Sequence, residues 1–264
     1  MTLPARTWED LRPRVITGAV LVAIGTVAIW LGGLWFASLA ALVTGIMVWE
    51  LARMTNPDRP SEAMQLGLLM GAAVLLARYL PGIYAAPIIA APALVGVSLL
   101  PKHRAIFALY AIGIGLAGYG LTVFRDVYGM LWLIWLVLVV VATDIAGYFG
   151  GKMIGGRKFW PAVSPKKTWA GILCGWAAAA LIGAGFLAVT DAGRDLIWIS
   201  AVLSFASQMG DIAESAVKRK VGVKDSSNLL PGHGGVFDRF DALLGAALFM
   251  LLVALVVDVP ELRF

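Results

Sequence analysis

The chain has 264 residues, 60% of them hydrophobic and 14% charged, with a mean hydropathy of +0.86. Soluble domains carry roughly 25% charged residues, so a water-soluble globule is excluded and lipid is the solvent for most of the chain. The net charge of +5 reports membrane sidedness and not a nucleic-acid partner, and the lone Cys174 excludes disulfides, CxxC redox chemistry and cysteine zinc sites.

A polar stretch, Met1 to Arg14, precedes the first apolar run, which lacks a small-residue cleavage site and reads as a spanning helix and not a removable signal. A hydrocarbon core about 30 Å thick needs about 20 apolar residues per helix. Breaking the chain at its charged or Pro/Gly-rich joints gives nine such runs, at roughly 15–31, 34–52, 63–80, 83–100, 105–124, 129–150, 169–190, 196–217 and 240–258. The expected fold is all-α: a polytopic integral membrane protein of about nine transmembrane helices, forming one membrane-embedded domain over 1–264. Within it, 1–125 is an N-terminal helical part and 126–264 a catalytic part. Pro87 and Pro92 would kink the fourth run or turn it into a re-entrant or broken helix. The four-residue spacings Gly67–Gly71, Gly147–Gly151 and Gly171–Gly175 suit close helix packing, and Cys174 reads as a packing residue.

With the N-terminus in the cytoplasm, nine crossings place 17 of the 21 Lys and Arg on the cytoplasmic side. The outer joints keep only Arg78, Arg125, Arg194 and Arg263, as the positive-inside rule requires. The two longest polar joints, about 151–168 and 218–239, both fall on the cytoplasmic face. Trp30, Trp35, Trp49, Trp160 and Trp169 lie near span ends, where interfacial aromatics belong.

An ionisable residue at the centre of a span costs about 2.5–3.5 kcal/mol on insertion scales, so Asp144, Asp211 and Glu214 call for a function. The alternative is an interfacial position and an ion pair with a nearby opposite charge, and this is the preferred reading for Glu50 and Arg78, close to span ends. Helical spacing puts Asp211, Glu214, Ser215 and Lys218 on neighbouring positions of one face. Asp238 and Asp241, three apart at the start of the last span, would point toward one place. Carboxylates converging beside lysines and arginines suit a divalent cation plus phosphates. The glycines around His233 would let backbone amides approach a phosphate. The other loop runs from Asp144, Gly147 and Tyr148 through Gly150-Gly151-Lys152 and Gly155-Gly156-Arg157-Lys158 to Ser164-Pro165-Lys166-Lys167-Thr168. It interleaves glycines with cations without forming a Walker A or GxGxxG pattern. Two histidines and no paired cysteines make zinc a poor fit, and His103 reads as a solvated surface residue.

Ser215-Ala-Val-Lys218-Arg219, Lys224-Asp225 and the run from Leu230 to Asp241, Leu-Pro-Gly-His-Gly-Gly-Val-Phe-Asp-Arg-Phe-Asp, closely resemble the signature of the phosphatidate cytidylyltransferase (CDP-diacylglycerol synthase) family. Asp144, Ala146-Gly147-Tyr148 and Ser164-Pro165-Lys166-Lys167-Thr168-Trp169 resemble its second block. Leu11-Arg12-Pro13-Arg14 and Trp49-Glu50-Leu51 resemble it weakly. Ala170 departs from the pattern, since family members often carry an acidic or amide side chain there.

The resemblance implies a bacterial-type plasma (inner) membrane enzyme of phospholipid biosynthesis that uses CTP and phosphatidate, requires Mg²⁺, faces the cytoplasm and often forms homodimers. Carried over residue by residue, it implies Asp211 and Asp238 as leading metal ligands, with Asp241 and Asp144 next. Lys218, Arg219, Lys224 and Arg239 would hold phosphates, and Lys166 and Lys167 the nucleotide or diphosphate. Ser164, Tyr148, Ser207, Ser215, His233, Gly234 and Gly235 are further substrate-binding candidates. Another metal-dependent membrane lipid-phosphate or isoprenoid transferase is the alternative. The Asp-Gly…Ala-Arg…Gly…Asp…Asp pattern of CDP-alcohol phosphatidyltransferases is absent. A transporter would need access from both faces, whereas here the charged groups gather toward one.

Overall fold

The structure, a computed structural model, describes the backbone of residues 11–256 and the side chains of 15–256. Among these residues the helices are α1 (Leu11–Leu31), α2 (Gly33–Thr55), α3 (Pro60–Arg78), α4 (Ala85–Leu99), α5 (Arg104–Tyr128), α6 (Met130–Met153), α7 (Trp169–Val189), α8 (Leu196–Val221) and α9 (Phe237–Val256). Eight spans are long and apolar enough to cross a bilayer, the fourth counted with its leading 3-10 turn as Gly82–Leu99. The apolar part of α1, Val15–Leu31, is shorter. The protein is a multi-pass, all-α membrane protein, and each predicted run corresponds to one helix. The predicted 258 end of the last run, and the Leu11–Arg14 side chains, lie outside the described residues.

Two local expectations change. The fourth run is neither re-entrant nor broken: Pro87 falls in the first turn of α4, where a missing N–H costs nothing, and Pro92 sits buried inside one continuous helix. The 151–168 joint is not bare loop. It holds a two-stranded antiparallel hairpin, β1 (Lys158–Trp160) and β2 (Ser164–Thr168), pairing Trp160 with Ser164 and Lys158 with Thr168. Pro161 sets its tight turn, closed by the Val163 amide donating to the Trp160 carbonyl at 3.2 Å. Phe159 packs edge-on to Trp169 at 4.8 Å, and the Thr168 hydroxyl caps α7 by accepting from the Gly171 amide at 3.1 Å.

Joints predicted to share a face touch one another. Lys102 pairs with Asp58 at 3.2 Å, and Asn56 bonds the Lys102 carbonyl at 3.0 Å. The Thr17 hydroxyl donates to the Pro231 carbonyl at 3.3 Å. At the opposite end Arg78 pairs with Asp126, and Arg125 Nε donates to the Ile29 carbonyl at 2.9 Å.

The three glycine pairs all lie at helix crossings. A Cβ on Gly67 would come 2.7 Å from the Gly45 carbonyl oxygen, so α2 and α3 meet backbone to backbone. A Cβ on Gly171 would come 2.6 Å from the Gly147 carbonyl oxygen and 3.4 Å from Gly151 Cα, so two of the predicted pairs pack against each other across α6 and α7. Cys174 fills space beside Gly150 on the same seam. One buried apolar cluster joins α2 to α5 with α8 and α9, and a second joins α5 to α9. Helix α9 belongs to both, so its N-terminus is anchored from two sides.

Candidate active site

Helices α6, α8 and α9 bring the ionisable residues together at one end of the bundle. Their approach is backbone-limited: a Cβ on Gly210 would lie 2.9 Å from the Gly245 nitrogen, so α8 and α9 cross with nothing between them. That crossing sets Asp211, the next residue on α8, beside Asp241, one turn before Gly245 on α9. Asp144 of α6 completes the group, and the three carboxylates lie within Coulombic reach of one another.

Cations close this group from the side. Lys167, on β2, places its Nζ 2.6 Å from Asp211 Oδ2 and 3.4 Å from the Gln208 carbonyl. Alternation along the strand leaves Lys166 pointing away, exposed. Arg239 and Lys167 both act electrostatically on Asp144. The Ser215 hydroxyl is 3.4 Å from Asp211 Oδ1, one helical turn on. Asp144 and Tyr148 are exposed along α6, and Asp211 is about a third exposed. This is the open side of the site.

A second, buried charge group lies beside it. Lys218 Nζ sits 2.6 Å from Glu214 Oε2 and 2.7 Å from Asp238 Oδ1. The predicted stripe on α8 therefore forms through its i,i+4 pairs, Ser215 with Asp211 and Lys218 with Glu214. Glu214 Oε1 has no hydrogen-bond partner among the described residues. Nor has Ser207 Oγ, fully buried one turn before Asp211, or His233 Nδ1. Helix α8 ends at Gly222, whose φ of 79° suits glycine. The Gly222 amide donates to the Arg219 carbonyl and the Val223 amide to that of Lys218, a Schellman closure that holds Lys218 in the last turn.

Asp238 is engaged on both oxygens. Besides Lys218 it accepts from the Ser226 amide at 3.0 and 3.1 Å, the Ser226 hydroxyl at 3.1 Å and the Gly235 amide at 2.7 Å. The last of these ties the Asp238 carboxylate back to the chain just before α9. Arg219 and Lys224 stand exposed on the rim, as does Arg239, whose Nε donates to the His233 carbonyl at 3.0 Å.

The sequence reading of Glu50 requires correction. Its carboxylate is fully buried and, among the described residues, pairs with no lysine or arginine. It accepts from the Val236 amide at 2.9 Å, the Phe237 amide at 2.6 Å, the Ser227 hydroxyl at 2.5 Å and the Ser226 hydroxyl at 3.2 Å. The expected phosphate cradle at Gly234 and Gly235 changes accordingly, because the amides of 235–237 already serve Asp238 and Glu50. Glycine is needed there for a different reason. A Cβ on Gly235 would come 2.6 Å from Glu50 Oε1, and one on Gly234, at φ 85°, 2.7 Å from Asp238 Oδ2. Glu50, Ser226 and Ser227 were not among the expected site residues. Their traces in the sequence are a charge inside an apolar run, within the weak Trp49-Glu50-Leu51 resemblance, and a serine pair inside the signature region.

A separate groove of about 550 Å³ between α2 and α3, floored by Gly45, Gly67 and Gly71, has no ionisable group in its walls.

A model of the cytidylyltransferase family matches residues 12–257. The chain belongs to the cytidylyltransferase family. Membership makes it a membrane-embedded nucleotidyltransferase. It is 33% identical over 262 residues, 96% of each chain, to a Brucella suis biovar 1 protein named phosphatidate cytidylyltransferase. A Bacillus subtilis protein of the same name is 32% identical over 257 residues, covering 89% of this chain and 94% of that one. A third, from Helicobacter pylori, is 42% identical over 128 residues, or 48% of this chain and 47% of that one.

Proposed function

We propose that this chain transfers the cytidylyl group of CTP to phosphatidate, giving CDP-diacylglycerol and diphosphate for phospholipid biosynthesis. The observation that carries the reading is the ion pair between Lys167 and Asp211 within a carboxylate and cation cluster at one membrane-facing end of a family-matched chain.

A phosphatidate phosphate oxygen attacks the α-phosphorus of CTP, the new P–O bond forms, and the bond to the bridging oxygen breaks so that diphosphate leaves. Phosphatidate is already ionised near neutral pH, so positioning and charge stabilisation dominate over general-base help. Lys167 and Arg239 face the carboxylate group from opposite elements and neutralise phosphate charge there, with Lys166, Arg219 and Lys224 on the rim. Lys218, buried between Glu214 and Asp238, holds a fixed positive charge next to the reacting phosphates. Tyr148 and Ser164 line the approach, and Ser207 and His233 offer polar atoms without a partner among the described residues.

The donor set fits Mg²⁺, which takes oxygen ligands and is usually bound by one or two carboxylates together with substrate phosphates. Among the described residues no three acidic, His or Cys side chains enclose an ion by themselves. Asp211, Asp144 and Asp241 would hold it, and Asp238 joins them only where Lys218 or Ser226 releases an oxygen. When bound, it would neutralise charge on the phosphates.

The charge bias of the joints supports a bacterial-type inner-membrane location with the site opening to the cytoplasm, where CTP is found. The family resemblance supports a homodimer, and the cations are accounted for by sidedness and phosphates without nucleic acid. The test is incubation of purified protein with labelled CTP, phosphatidate and Mg²⁺. Label in the lipid phase that depends on phosphatidate is the expected result, and folded protein that yields none refutes the reading.

A further inference from the structure

We propose that Glu50, on α2, is a positioning residue for the transfer: its buried carboxylate pins the 226–237 segment and through it sets Asp238 and Lys218. The proposal rests on the function proposed above.

The amides at the start of a helix favour an anion. At α9 that anion comes from within the fold, because Glu50 receives the amides of Val236 and Phe237. It also receives the hydroxyls of Ser226 and Ser227, so one carboxylate closes the loop at both ends. Ser226 has a single hydroxyl hydrogen, which is shared between Glu50 Oε2 and Asp238 Oδ2, at 3.2 and 3.1 Å. Glu50 and Asp238 thus stand on the same serine, and Asp238 passes the constraint to Lys218 at 2.7 Å. Gly235 gives the space for this, since any side chain there meets the Glu50 carboxylate. The arrangement has two consequences. Substrate phosphates are directed to side-chain cations and not to the amides of α9, and the position of Lys218 depends on a residue of the N-terminal half that touches no substrate.

The test is Glu50→Gln in the full-length protein, with kcat and the KM values for CTP and phosphatidate measured beside amide hydrogen exchange over 226–238. Glutamine keeps the size but turns an NH₂ toward buried donors. The expected result is a fall in kcat of about tenfold or more, the effect of losing a charged hydrogen bond. Both KM values change little, and exchange at Val236 and Phe237 rises while α3 and α4 stay protected. Ser227→Ala removes one donor and lowers kcat by a smaller factor, with no further loss in the double variant. A wild-type kcat per folded Glu50→Gln molecule overturns the proposal, even if the variant melts earlier. Should Glu50→Gln fail to fold, Ser227→Ala decides, and an unchanged kcat there overturns it. Wild-type protein that forms no CDP-diacylglycerol refutes the proposed reaction instead, and the exchange measurement still tests the hold of Glu50 on the loop.

Discussion

Lys167 Nζ lies 2.6 Å from Asp211 Oδ2, so the hairpin that follows α6 is tied to the middle of α8. This contact turns two polar segments, far apart in sequence, into one site. An ammonium against a partly exposed carboxylate is worth little to stability, since surface ion pairs contribute about 0–1 kcal/mol. On the proposed reaction its value is in placing positive charge where phosphate charge would gather.

Lys167→Met should therefore lower kcat/KM for CTP by about tenfold or more, equivalent to about 1.4 kcal/mol of transition-state binding, with only a small change in melting temperature. Steady-state kinetics beside thermal unfolding checks this. Lys166→Met, on the exposed side of β2, should cost less.

Asp211→Asn should lose about a hundredfold or more in kcat while the protein stays folded, because a proposed metal ligand and the partner of Lys167 go together. Chelation of divalent cations should stop the wild-type reaction and Mg²⁺ restore it. Asp144→Asn and Asp241→Asn should each raise the Mg²⁺ concentration needed for half-maximal rate. A titration that does not move in either variant would remove that residue from the ligand set.

Gly210→Val and Gly245→Val should be destabilising by about 1–3 kcal/mol, as overpacked cores are, because added atoms meet backbone across the α8–α9 crossing. Activity should fall with them, since Asp211 and Asp241 move apart. Gly185→Ala, with open space around its Cβ position, should be neutral or slightly stabilising. Unfolding and activity assays on the three variants check the contrast.

Single cysteines placed at Arg157 and Lys224 in a Cys174→Ser background should react with a membrane-impermeant maleimide only when the cytoplasmic face is accessible. A cysteine at Tyr79, exposed at the other end, should show the opposite pattern. Labelling of both sets from one face would contradict the topology.

The spans were legible because a bilayer demands long apolar runs, and charge bias at Arg53, Lys102 and Lys166 supported their pairing into two faces. The α8 stripe was legible too, since i,i+4 spacing is local. What escaped the sequence is what depends on distant partners. Glu50 meets Ser226, Val236 and Phe237 more than 170 residues away, so it looked like a charge at the end of a span. Strands of three and five residues are too short for alternation to separate them from a basic loop. The partners of Gly67, Gly147 and Gly171 stayed hidden in the sequence because a spacing cannot say which helix lies opposite. Ala170, where the family resemblance leads one to expect an acidic or amide side chain, sits half-buried in the first turn of α7 next to Gly150.

On the proposed reaction the cytidylyl group, and not the terminal phosphate, moves from CTP to the lipid. CTP labelled at the α-phosphate and CTP labelled at the γ-phosphate, given in parallel to purified protein with phosphatidate and Mg²⁺, test this most directly. The α label should enter the lipid phase and the γ label should appear as diphosphate in the aqueous phase, in equal amounts. Entry of the γ label into lipid, or of neither label with folded protein, would contradict it.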